Sequence, residues 1–161
     1  MTSSDPKREM LRHGLATLAY RGGKAVRDTP SGFADFRGSA SSRSAGELLG
    51  HIGDLLDWAL SIARGKQRWN NAKPLPWNEE VIRFFAALKA LDDYLASADA
   101  LHAAPEKLLQ GPVADALTHV GQIVMLRRMA GGPMKSESYF AAEIVAGRLG
   151  PVQTPPKQEF D

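Results

Sequence analysis

Residues 44–65 read SAGELLGHIGDLLDWALSIARG, and this stretch decides the fold class. Ser44 and Glu47 stand at capping-box spacing, where a hydroxyl and a carboxylate satisfy each other's orphan N–H groups at a helix start. Leu48, Ile52, Leu55, Ala59 and Ile62 recur along one face, and Leu49, Leu56, Leu60 and Ala63 widen it. Gly65 supplies the stop. A helix with so broad an apolar face must be covered by other helices, which points to an all-α bundle.

Upstream, the sequence predicts a helix over 5–27, opened by Asp5 with Pro6 in the first turn and striped by Leu11, Leu15, Leu18 and Val26. Gly22 and Gly23 inside it each cost about 1 kcal/mol unless another backbone packs closely there, and such an approach is expected. Residues 28–43 are rich in Gly, Ser and Pro but carry Phe33 and Phe36, as in a long crossover loop pinned by two aromatics.

Downstream of the 66–77 linker, Asn78 is the expected cap of a third helix, with Glu79 and Glu80 at its positive end. Val81, Phe84, Phe85, Leu88, Leu91 and Leu95 carry that helix to about Ser97. After Pro105 and a break at Gly111–Pro112, a fourth helix is predicted over 113–130. Its apolar residues, among them Val113, Val120, Val124 and Met129, lie on more than one side, as in a helix surrounded by neighbours at the centre of a bundle. Gly131-Gly132-Pro133 ends it. Ser136 is the expected cap of a short fifth helix to Val145, stopped by Gly147. No period-two strand pattern is present. The expectation is one domain over 1–161, with its core over about 5–147 and an extended tail over 148–161.

Composition narrows the chemistry. A chain of 161 residues can bury a sizeable core without a metal or disulfide staple. It has no cysteine, which excludes disulfides, thiolate nucleophiles and zinc–thiolate sites. The first dozen residues are polar, and no apolar run approaches the roughly 20 residues that span a bilayer, so a soluble protein of the reducing cytoplasm is expected, with no membrane partner. The 20 basic and 18 acidic residues are scattered, with no basic run interleaved with aromatics, so no nucleic-acid partner is expected. Neither a phosphate-binding G-x-x-x-x-G-K-[ST] nor a G-x-S-x-G elbow occurs.

Two of the four histidines stand out. His51 and His119 sit in matching heptapeptides, LGHIGDL at 49–55 and LTHVGQI at 117–123, each with a glycine two residues after the histidine to allow close packing. Both imidazoles should point inward from their helices. Asp115 precedes His119 by four residues and shares its face. Two imidazoles and a carboxylate make a facial three-ligand site for a divalent metal with open positions, and Gln122, three residues on, would support it by hydrogen bonding. Trp58 points near His51 and could wall a pocket. Asp54 and Asp57 are expected on a solvated face, Arg127 and Arg128 at the dipole of their own helix end, and His13 and His102 on the surface.

The segments GELLGHIGDLLDWAL, 46–60, and DALTHVGQIVMLRRMAG, 115–131, resemble the DinB-like superfamily of DNA-damage-inducible proteins, which includes metal-dependent bacillithiol and mycothiol S-transferases. The resemblance covers residues 11–150. It implies an up-down-down-up four-helix bundle with a long crossover, homodimers, and a metal held by three histidines. Their counterparts here are His51, His119 and, in place of the middle imidazole, Asp115. The expected cofactor is a divalent ion, zinc or nickel, whose open position would activate water for hydrolysis or a low-molecular-weight thiol for transfer to a small-molecule substrate, and the resemblance favours the thiol version. The rival expectation is a non-enzymatic dimeric bundle, a stress-response or binding protein with a degenerate metal site. Phe33, Phe36, Trp69 and Trp77, outside the main stripes, are the apolar surface expected to favour a dimer.

Overall fold

The computed structural model describes residues 5–160; positions 1–4 and 161 of the predicted domain lie outside them. Asp5 opens α1 (Pro6–Val26), its carboxylate accepting from Lys7 N–H with Pro6 in the first turn. The crossover that follows contains a 3-10 turn, Phe33–Asp35, and is pinned as expected: Phe33 is buried and Phe36 packs on the core. In α2 (Ala45–Ala63) both halves of the capping box form, at 2.7 Å from Ser44 N to Glu47 Oε2 and 3.1 Å from Glu47 N to Ser44 Oγ. The helix ends at Arg64, and Gly65 takes a φ of +74°.

α3 (Trp77–Ala96) starts one residue before the expected cap, with Pro76 rather than Asn78 in that position. The Gly111–Pro112 break is not a break. A short turn, α4 (Pro105–Leu108), continues through a π-turn, Leu109–Val113, into α5 (Ala114–Met129). Pro112 has no N–H to donate, so the α-ladder cannot close through it, and the wider turn lets the helix run on.

Four long helices enclose the core: α2 packs on α3 and α5, and α1 packs on the same two. Leu15, Leu18, Leu49, Ile52, Leu56, Phe84, Leu88, Leu91 and Ile123 are fully buried. The close approach at Gly22–Gly23 exists, but aromatic rings rather than a backbone make it. A Cβ on Gly22 would stand 2.6 Å from Phe84 Cζ, and one on Gly23 3.5 Å from Phe85 Cζ.

Beyond Met129 the chain departs from expectation. The helix expected from Ser136 to Val145 does not form: β1 (Ser136–Glu137) pairs antiparallel with β2 (Glu159–Phe160), and turns occupy the residues that follow β1. The cause is Glu137, whose buried carboxylate accepts from Tyr20 Oη at 2.7 Å and Lys24 Nζ at 2.8 Å. Burial and this carboxylate push the Tyr20 phenol upward from its ordinary pKa. Two strands of two residues are too short to leave a period-two pattern, and the rest of the tail is irregular, with Leu149 buried on the core. α5 is not surrounded either: Met125 and Met129 are 60 % and 54 % exposed. Among the described residues no helix is long and apolar enough to cross a membrane.

Candidate metal centre

The packing of α2 on α5 brings the two matched histidines together. Their rings meet edge to face with centroids 4.9 Å apart. Asp115, one turn before His119, lies between them: its Oδ1 is 3.3 Å from His119 Nε2 and its Oδ2 is 4.0 Å from His51 Nε2. One donor atom from each residue falls within 4.8 Å of the other two. An ion with bonds of about 2.1 Å holds neighbouring ligand atoms about 3.0–3.4 Å apart. The Asp115–His119 edge already has that length, and the others, within 4.8 Å, would have to shorten by side-chain adjustment to hold an ion. The donor set fits a borderline divalent ion such as zinc or nickel.

Exposure is uneven across the cluster. The His51 and His119 side chains are 19 % and 12 % exposed, whereas that of Asp115 is 48 % exposed, so the site opens on the carboxylate side. Burial lowers the His51 pKa from its ordinary value, helped by the positive charge of Arg43 and by His119, and opposed by Asp115. That favours the neutral imidazole, the form that ligates a metal. Gln122 Oε1 lies 2.7 Å from His119 Nδ1. With Nδ1 carrying the proton for that contact, the Nε2 lone pair faces Asp115.

A wall of aromatics stands behind His51. Trp69 packs edge-on against its ring at 5.7 Å, and Trp58 against Trp69 at 5.8 Å. Trp58 therefore reaches the site through Trp69. The linker carrying Trp69 is held to the helices at several points: Arg68 N donates to Ser61 Oγ at 3.0 Å, Ala72 N to Asp54 Oδ1 at 3.3 Å and Leu75 N to Glu80 Oε1 at 3.0 Å. Nothing in the linker's sequence announces this, because its aromatics follow no helical or strand period.

Several expected roles change. Asp54 is buried rather than solvated, with Arg83 donating to it at 2.6 Å while also reaching Asp57 at 2.9 Å and the Gly50 carbonyl at 3.1 Å. A Cβ on Gly53 would stand 2.9 Å from that guanidinium, so this glycine does allow close packing; Gly121, its counterpart, has no such neighbour within 4 Å. Arg127 is buried and serves α1 instead of its own helix, donating to the carbonyls of Lys24, Ala25 and Arg27 at 3.0, 3.1 and 2.6 Å. His13 and His102 are exposed, as expected. Phe33, Phe36 and Trp77 pack into or against the core, so of the four aromatics expected to favour a dimer only Trp69 is exposed.

In comparisons with protein-family models, curated proteins and solved structures, the chain matches none of them.

Proposed function

We propose that the chain is a metal-dependent enzyme of the DinB-like superfamily, in which His51, Asp115 and His119 hold a divalent ion, zinc or nickel. The observation that carries this reading is the convergence of three donor atoms from two helices within 4.8 Å, with both imidazoles sheltered and the carboxylate open to solvent. When bound, the ion would supply Lewis acidity for hydrolysis or for activating a low-molecular-weight thiol in S-transfer to a small-molecule electrophile. The chain's own contributions are orientation and shelter. Gln122 sets the proton position on His119, and the Trp69–Trp58 wall shields His51 from water.

The resemblance of 46–60 and 115–131 supports an up-down-down-up order for the helices and a two-fold homodimer. Met10 and Leu109, 69 % and 46 % exposed and both lining one groove, offer apolar surface for the dimer. The second reading is a non-enzymatic bundle. It is favoured by the 3.3 Å contact of His119 with Asp115, which a protonated imidazole makes as an ion pair without metal.

Elemental analysis of protein purified without a metal-affinity tag, before and after chelation, separates the two readings. Metal enzymes of this design carry about one ion per chain, and Asp115→Ala should then weaken zinc binding by at least about tenfold at unchanged helicity, since it removes a ligand and a compensating charge. Asp115→His should retain zinc and nickel. A parent protein without stoichiometric metal, or an Ala variant that binds as tightly as the parent, defeats the three-ligand assignment.

A further inference from the structure

Alongside the His51–Asp115–His119 cluster, α5 turns an apolar face to solvent. Its exposed Met125 and Met129, together with Leu48 and Leu126, line a cleft of about 700 Å³ that reaches from the 38–43 segment to His119 and Gln122. That volume lies within the roughly 300–1,000 Å³ of pockets that enclose small organic molecules. Methionine walls adapt their shape to an apolar guest. Gly121 also faces the cleft, and beyond its own turn of helix no described residue places an atom within 4 Å of where its Cβ would stand, so a guest can approach the helix backbone there.

Charge decides what kind of guest fits. Arg43 is the charged residue of this lining, and no carboxylate is among the residues that form it. Arg8, Arg12, Arg37, Arg83, Arg127 and Arg148 all donate hydrogen bonds within the chain. The Arg43 guanidinium donates none to any described residue. A cation without an internal acceptor at the edge of an apolar cleft complements an anion attached to an apolar body.

We propose that this cleft binds a small organic carboxylate, its anionic end on Arg43 and its apolar body against Met125, Leu126 and Met129, beside His119. The inference rests on the metal reading for any reaction of the bound molecule, because His119 belongs to both the cleft and the cluster; binding itself needs no metal.

The test is titration calorimetry on chelator-treated protein with three probes that differ at one end: 4-phenylbutyrate, 4-phenylbutanol and 4-phenylbutylamine. The acid should bind about tenfold more tightly than the alcohol, the scale of one partly exposed charge-assisted hydrogen bond, and the amine should bind weakest. Arg43→Gln should reduce the acid to the affinity of the alcohol, and Met125→Gln should weaken acid and alcohol alike, with helicity checked by circular dichroism. Acid and amine binding equally, no probe binding at all, or an acid preference that survives Arg43→Gln overturns the proposal. So does a dimer in light scattering that Met125→Gln dissociates, since a second copy would then cover the face. Zinc titrated separately distinguishes the two failures: protein that binds zinc but no probe loses this inference alone, and protein that binds the acid through Arg43 but no zinc loses only the metal reading.

Discussion

At the scale of single residues, the partner of His119 is the group to test first. Gln122 touches neither His51 nor Asp115 through any hydrogen bond described; its contact is with His119 Nδ1, at 2.7 Å. Replacing it with leucine keeps the helix and the volume but removes the hydrogen-bonding partner of His119 Nδ1. Zinc affinity, measured by competition with a chromophoric chelator, should fall about 10–100-fold with little change in the unfolding midpoint. Glycines of identical chemistry should respond in opposite directions. Gly22→Ala drives a Cβ into the fully buried ring of Phe84, 2.6 Å away, and should destabilise by about 1–3 kcal/mol. Gly121→Ala meets no described residue within 4 Å beyond its own turn of helix and should stabilise by up to about 1 kcal/mol through helix propensity. Urea unfolding of the two variants checks both signs.

At the scale of the element, the start of α2 carries a pH signature. Arg37 bonds the Glu47 carboxylate at 2.8 and 2.9 Å, and the Ser44 N–H adds a third contact at 2.7 Å. The Arg37 bond first, and then the Ser44 N–H, hold the Glu47 pKa down at about 2. A carboxyl depressed in the folded state stabilises fully above its unfolded pKa of about 4.5 and loses that contribution as pH falls towards the folded value. The gap in urea midpoint between the parent and Glu47→Gln should therefore be constant near neutrality, shrink between about pH 4.5 and pH 2, and vanish below. A gap that persists unchanged at pH 2 would show that charge is not what this cap contributes. Further along the chain, the π-turn Leu109–Val113 ends two residues before Asp115 and so helps set the angle at which that carboxylate meets the histidines.

At the scale of the whole molecule, two buried charged residues tie distant segments to α1. Arg127 closes the C-terminal carbonyls of α1 from α5, and Glu137 fastens the segment after α5 to Tyr20 and Lys24. Arg127→Met leaves several sheltered carbonyls without a donor and should cost roughly 2–4 kcal/mol in urea unfolding. Glu137→Gln keeps the shape but removes the charge facing Lys24, a side chain only 13 % exposed. Limited proteolysis of that variant should cut within 134–160 faster than in the parent, while the helical signal in circular dichroism remains. Equal cutting rates would mean that the hairpin pairing and Leu149, rather than the Glu137 ion pair, hold the segment down.

The sequence alone determined the features set by residues within about one turn of each other: the Asp5 cap, the Ser44–Glu47 box, the apolar stripes of the long helices, and the placement of Asp115 on the face of His119. Helical periodicity and capping are local, so spacing encodes them. It also pointed to His51 and His119 as a pair, through their matched surroundings rather than through any local contact. Only the tertiary structure decided what depends on a remote partner. Asp54 is buried because Arg83 arrives from α3, and Ser136 to Val145 forms no helix because Glu137 is claimed by Tyr20 and Lys24, more than a hundred residues earlier. Met125 stands exposed because no helix among the described residues covers that side of α5, and Trp69 meets His51 because three separate hydrogen bonds fold its linker back. Each of these depends on bonds to groups far away in the chain, or on the absence of a neighbour, and no local pattern records either.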